Sequence, residues 1–197
     1  MRRIFFLMAL CAFSLASYAQ FGVGLRDTRY VNVNYTLKDR FFFEFEQSIF
    51  AEKLGFQYFR VYCGYKGAFG PVNYHANAYY GMAWNNSYRN AGLDLHINYF
   101  YRFIGAYGNL NPHYDSLYET KVFFRVGLAG NLTKQLTLKC DYNTIPTYRE
   151  GEKRIRFGLN FHLANLYVEP LVSIPVEGND KFKSLRVLVS FNYTFKR

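Results

Sequence analysis

The chain has 197 residues, which suits one domain, a formal charge of +10, and an aromatic content of 21% carried almost entirely by Tyr and Phe. Past the first twenty positions no run of about 18 apolar residues occurs, so a transmembrane helix is excluded, and the mean hydropathy is near neutral. The positive surplus has no basic run or nucleic-acid motif behind it, so no nucleic-acid partner is expected; basic loops beside anionic lipid head groups account for it.

The first element is a secretory signal. Met1-Arg2-Arg3 is a short positive start, Ile4 to Ala16 is almost wholly apolar, and Ser17-Tyr18-Ala19 places small residues at the two positions a signal peptidase inspects. This divides the chain into a cleaved segment, 1–19, and a barrel domain, 20–197. Gly22-Val23-Gly24 lacks the rest of a phosphate-binding fingerprint and reads as a flexible lead.

Alternation with period two then dominates. Strands are predicted over 29–37, with Val31, Val33, Tyr35 and Leu37 on one face, and over 41–50, with Phe41, Phe43 and Phe45 opposite Glu44 and Glu46. Lys38-Asp39-Arg40 is the turn between them. A third covers 56–65 and a fourth 72–84, separated by a turn at 67–71. The fifth sets Leu93, Leu95, Ile97, Tyr99, Tyr101 and Phe103 against Asp94, His96, Asn98 and Arg102. Residues 105–119 form the longest non-periodic segment and are expected as a loop. The sixth, seventh and eighth strands centre on Phe124, Leu138 and Leu159. Ala164-Asn165 is a two-residue hairpin. The ninth strand contains Pro170, which removes a ladder donor, so either a bulge there or a different strand boundary is expected. The last alternates from Leu185 to Phe195. The sum is about ten strands, with eight to twelve compatible.

Which face is outside decides the environment. A soluble barrel hides its apolar face, whereas a membrane barrel shows it to lipid. The apolar faces of the fifth, sixth, eighth and tenth strands carry no charge. Tyr99, Tyr101, Phe103, Tyr193 and Phe195 crowd their ends, at the level where a ring with a polar tip is satisfied. The opposite face mixes Gly, Asn, Tyr and charges of both signs, which suits a narrow interior where they pair. The expected fold is an all-β, single closed antiparallel transmembrane β-barrel. Cys63 and Cys140 fall on its apolar face as small wall residues; their spacing matches no zinc site.

At the C-terminus, Val189-Ser190-Phe191-Asn192-Tyr193-Thr194-Phe195 resembles the closing strand of small outer-membrane β-barrel proteins of Gram-negative bacteria. There a near-terminal aromatic caps an alternating strand read by the barrel-assembly machinery; here Lys196 and Arg197 follow it. The resemblance implies periplasmic termini, Phe191, Tyr193 and Phe195 as an assembly signal, and the assembly machinery and outer-membrane lipids as partners. It implies no particular activity. With an even strand count, 105–119, 146–153 and 176–182 fall outside the cell and 131–135 and 164–165 inside.

The candidate site is the lumen. Glu44, Glu46, Asp94, Asp141 and Glu169 are predicted to point inward with Arg60, Arg102, Arg125, Lys139, Arg156 and Arg186. They read either as an ion-paired filling that stiffens the wall or as a charged constriction. Asp94 and His96 share a face as a hydrogen-bonded pair, with no serine nucleophile motif nearby. His75 and His162 also point inward, but strand spacing is not expected to bring the three histidines together, so no metal, cofactor or catalytic residue is assigned. Four readings remain: a structural or interaction barrel with a filled lumen, placed first; a narrow pore for small solutes; a membrane-embedded lipid or peptide hydrolase; and a soluble secreted β-barrel. The first three differ in whether the polar path is continuous and whether a nucleophile meets a base.

Overall fold

Strands of alternating apolar and polar residues have one face to hide from water and one to keep in it, and closing the sheet satisfies every edge. A computed structural model describes residues 19–49, 57–84, 86–145, 153–177 and 184–195. It is one closed antiparallel barrel of twelve strands. They are β1 (Ala19–Arg26), β2 (Tyr30–Leu37), β3 (Phe41–Ser48), β4 (Tyr58–Phe69), β5 (Val72–Ala83) and β6 (Arg89–Tyr101). Then follow β7 (Ile104–Asp115), β8 (Tyr118–Asn131), β9 (Leu136–Asn143), β10 (Lys153–Leu163), β11 (Leu166–Glu177) and β12 (Arg186–Phe195). Each strand pairs with its neighbour in sequence, and β1 pairs with β12 to close the ring, Phe21 opposite Phe195 and Leu25 opposite Phe191.

The count of ten is corrected to twelve by two strands. The supposed lead around Gly22 is β1. Its glycines make room for β2: a Cβ on Gly22 would lie 2.5 Å from Asn34 Oδ1, and one on Gly24 2.5 Å from both Asn32 Oδ1 and the Phe191 carbonyl. The supposed loop 105–119 is β7, a tight turn at Ser116-Leu117, and the start of β8. Pro112 disguises β7. It stands opposite Leu93 by register, and the β6–β7 ladder lapses between Gly92↔His113 and Leu95↔Leu110. The Asn111 side-chain amide donates to the Leu93 carbonyl at 2.7 Å, supplying a donor that Pro112 lacks. Pro170 acts likewise: β11 runs straight through it, the β10–β11 pairing lapses between Gly158↔Leu171 and Phe161↔Val168, and the register shift lies instead at Lys153/Arg154.

The two ends of the barrel differ. At the end holding both termini, residues 38–40, 70–71, 102–103, 132–135 and 164–165 connect the strands. Lys38 and Asp39, at φ 50° and 56°, make a two-residue turn of left-handed conformation that follows the twist of the flanking strands. Ala164 does the same at φ 43°. At the opposite end tight turns at 27–29 and 116–117 join β1 to β2 and β7 to β8, and the described residues 49, 57, 84, 86–88, 144–145 and 184–185 flank the remaining strand ends. Residues 1–18 of the predicted signal segment 1–19, most of the connections at 146–153 and 176–182, and Lys196 and Arg197 lie outside the described residues, while Ala19 is the first residue of β1.

Side chains are distributed inside out relative to a soluble barrel. Phe43, Val61, Leu95, Ile97, Val126, Leu138, Phe157 and Val187 project outward and are exposed, while the inward positions are mostly polar, with Phe42, Phe123, Leu171 and Leu188 among the apolar ones. Among the described residues, charge reaches the outward phase only at Arg89 and Lys153, the first residues of β6 and β10. Aromatic rings ring the terminal end: Phe21 meets Phe195, Phe41 meets Tyr65, and Tyr193 meets Phe195, with centroids 5.0–5.6 Å apart. At the other end Trp84 packs on Phe59 at 4.5 Å and donates its indole N–H to Gln47 at 2.8 Å. Such amphipathic rings belong at the two head-group levels. Cys63 and Cys140 are free and exposed on the outer wall.

Candidate functional site: the polar lumen

The lumen is built by the even-numbered positions of β1 to β4, β6, β10 and β12 and the odd-numbered positions of β5, β7 to β9 and β11, which the sheet's period of two turns inward together. Glu44, Glu46, Arg60, Asp94, His96, Arg125, Lys139, Asp141, Arg156, Glu169 and Arg186 all lie on this face. Arg102 does not. β6 ends at Tyr101, and Arg102 sits in the turn at φ 54°, exposed, with its guanidinium 5.4 Å from the Tyr101 ring centroid. The alternation had been extended past the strand end.

On the wall formed by β1 to β7, the far half of the lumen is closely packed. Glu46 is 1% exposed and forms ion pairs with Arg26 and Arg60, and Tyr62 donates its hydroxyl to it at 3.3 Å. Arg60 Nε donates to Asn90 Oδ1 at 3.0 Å, and Asn90 Nδ2 donates to the Tyr88 hydroxyl at 3.0 Å. Tyr88 in turn donates to Asp115 at 2.7 Å. Tyr88 is a loop residue folded back into the barrel. Its burial and that hydrogen bond push its hydroxyl well above the usual tyrosine range. Tyr30 and Tyr58 share a 2.9 Å hydrogen bond, and the Arg60 guanidinium stacks between the rings of Tyr58 and Tyr79, 5.1 and 5.3 Å from their centroids. Tyr79 meets His113 Nδ1 at 2.6 Å. Within this network the guanidinium groups of Arg26 and Arg60 are matched by the carboxylates of Glu46 and Asp115.

The wall formed by β8 to β12 differs. Arg156 clasps Asp141 with two hydrogen bonds of 2.7 and 2.9 Å, and Tyr107 donates to the same carboxylate at 2.8 Å. Lys139 pairs with Glu169 at 2.5 Å, and Tyr167 donates to Glu169 at 2.8 Å. Arg154, 1% exposed, is held by Ser173 and the Ser184 carbonyl. Arg125 donates to Asn143 at 3.2 Å and shares the field of Asp141 with Arg156. Arg125, Lys139 and Arg156 thus share this wall with Asp141 and Glu169, and Arg154 and Arg186 lie on the same inward face.

Toward the terminal end the lumen side chains open to water: Asn73, His162 and Asn131 are exposed, and Lys66, His96, Asn98 and Asn192 partly so. The lumen is therefore wetter at the terminal end and tighter at the other. Asp94 does not hold His96 as expected. Its carboxylate takes the Asn109 amide, while the His96 ring lies beside His75 and Tyr107. His162 is apart, against Tyr167.

No family model and no curated protein matches the chain. Solved structures do. A KdgM porin in complex with disordered oligogalacturonate aligns with a TM-score of 0.63 at 11% identity, over 90% of this chain and 99% of that one. A second structure of a KdgM porin gives 0.61 at 11% over the same shares. A NanC porin gives 0.51 at 9%, over 91% of this chain and all of that one. The fold is porin-like. At such identity the likeness carries the architecture and leaves each lumen residue to be read on its own chemistry.

Arg26, Tyr30, Tyr58, Tyr62, Tyr79, Tyr88, Asn90, His113, Asp115 and Arg154 join the site without having been predicted. Arg154 was legible: it continues the Arg156 phase by one step. Arg26, His113 and Asp115 were lost with the two missed strands, and the tyrosines because a phenol fits either face.

Proposed function

We propose that the chain is an outer-membrane barrel that forms a narrow pore for small anionic solutes. The observation that carries this is the cationic cluster on the β8–β12 wall: Arg125 and Arg156 share the one carboxylate of Asp141, and Lys139 pairs with Glu169, while the carboxylates Glu44, Glu46, Asp94 and Asp115 lie on the β1–β7 wall. A low-dielectric wall with surplus fixed cations concentrates anions in a narrow path. The exposed apolar exterior supports insertion in lipid, and the porin-like fold supports the outer membrane as its location. Delivery there by a cleaved signal, and insertion by the assembly machinery through Phe191, Tyr193 and Phe195, remain part of the same proposal. Acidic sugars are the solute class that the oligogalacturonate-bound relative suggests.

The structural reading is the second one. The packed network around Glu46, Asn90 and Tyr88 favours it, since a barrel closed at that level would serve as a wall element or interaction surface. Liposome swelling separates the two. Liposomes loaded with a polymer and carrying the refolded chain swell in a monosaccharide acid faster than in the neutral sugar of equal size if the pore reading holds. Equal swelling with protein-free liposomes in both sugars, with the barrel shown to be folded, would leave the structural reading.

A further inference from the structure

His75 on β5 and His96 on β6 are register partners, directly opposite each other on the lumen wall. Residues so placed hold their Cβ atoms roughly 5 Å apart. The imidazole centroids are 6.1 Å apart with an interplanar angle of 56°. A metal–imidazole bond is about 2.1 Å and the ring nitrogen lies about 1.1 Å from the centroid, so two rings sharing one ion have centroids about 5.2 Å apart at a tetrahedral angle and at most about 6.4 Å apart. The observed separation lies within that limit, and a closure of about 1 Å by side-chain rotation brings the rings to the tetrahedral value.

Each ring has an aromatic neighbour. Phe42 meets His75 edge-on at 4.9 Å, and Tyr107 flanks His96 at 6.2 Å. His75 Nε2 is buried and has no hydrogen-bond partner among the described residues. A buried imidazole nitrogen without a partner is costly unless something fills it. Glu44 and Asp94 lie close enough to act electrostatically on His75, and Asp94 on His96 as well. Lys66 opposes His75 by register, Asn109 opposes His96, and Arg125 and Lys139 complete the charged surroundings. The carboxylates favour an incoming dication. The lysines and arginine leave its remaining positions to water or an anion.

We infer that His75 and His96 form a two-imidazole site for a borderline transition-metal dication on the lumen wall. Imidazole pairs suit Cu²⁺, Zn²⁺ and Ni²⁺ and reject Mg²⁺ and Ca²⁺, which seek oxygen. The site does not depend on conduction, and its test reads the metal directly.

The experiment uses the refolded full barrel in detergent, with folding verified by heat-dependent gel mobility. Cu²⁺ is titrated and followed by electron paramagnetic resonance, and Zn²⁺ by calorimetry with Mg²⁺ as the control. The expected result is one Cu²⁺ per chain with a spectrum of two nitrogen ligands, and Zn²⁺ binding weakened at least tenfold in His75→Asn and in His96→Asn. His162→Asn should change it less than twofold. Should either substitution prevent folding, wild-type protein suffices: Zn²⁺ should shield His75 and His96, and not His162, from diethylpyrocarbonate. Binding unaffected by both substitutions, a single-nitrogen spectrum, or absence of selective shielding would overturn the site.

Discussion

The Asp141–Arg156 pair sets a measurable limit on how firmly the cationic wall is held. Asp141 is 3% exposed and Arg156 6%, and two hydrogen bonds of 2.7 and 2.9 Å join them. Replacing Asp141 with Asn removes the negative charge between Arg156 and Arg125, which then repel one another with no anion interposed. Breaking such a buried pair by one partner costs about 3 kcal/mol. Replacing Arg156 with Met is milder, about 2 kcal/mol, because Asp141 keeps the Tyr107 hydroxyl at 2.8 Å and the nearby Arg125. The double variant Asp141→Asn/Arg156→Met should lose less than the sum by more than 1 kcal/mol, because it leaves no buried charge unpaired at that position. Urea unfolding in lipid vesicles gives these values, with the single tryptophan, Trp84 on the outer wall, as the fluorescence reporter. Additive losses, or an Arg156→Met variant less stable than Asp141→Asn, would refute the reasoning.

Four further outcomes are expected. Val126→Arg, on the outward face of β8, should destabilise the barrel by about 2–4 kcal/mol in bilayers, whereas Gln at the inward Arg125 should cost less. Asn111→Ala should cost about 1 kcal/mol by leaving the Leu93 carbonyl opposite Pro112 without its donor; urea midpoints report it. Ala164→Gly should raise stability by about 1 kcal/mol by relieving a left-handed alanine, visible as a higher midpoint at unchanged slope. Tyr88→Ala removes the loop ring hydrogen-bonded to Asn90 and Asp115, so single-channel conductance should rise while anion preference is kept.

The architecture was legible wherever one face was uniformly apolar. β6, β10 and β12 could be read from Leu93 to Tyr101, Ile155 to Leu163 and Val187 to Phe195, because lipid imposes that uniformity. β1 was hidden because its inward residues are Gly22 and Gly24, which a hydrophobic pattern cannot register and whose reason lies in Asn34 and Asn32 on the next strand. β7 was hidden because Ala106, Gly108 and Pro112 give its lipid face little contrast. Phase within a strand alone decides the direction of a charged residue, and Arg102 departs from the expected one because β6 ends at Tyr101. Partners could not be read in the same way. Asp94 was matched to His96, two residues away, yet it bonds across strands to Asn109, and His96 faces His75. Register between strands, not phase within one, sets those contacts.

The central claim is a conducting lumen with one cationic wall, and the zero-current potential of the refolded barrel in a planar bilayer under a potassium chloride gradient tests it most directly. The account predicts discrete current steps whose reversal potential has the sign of chloride preference and moves toward zero in Arg125→Gln. A correctly folded barrel that passes no current, or one that prefers potassium, would contradict it.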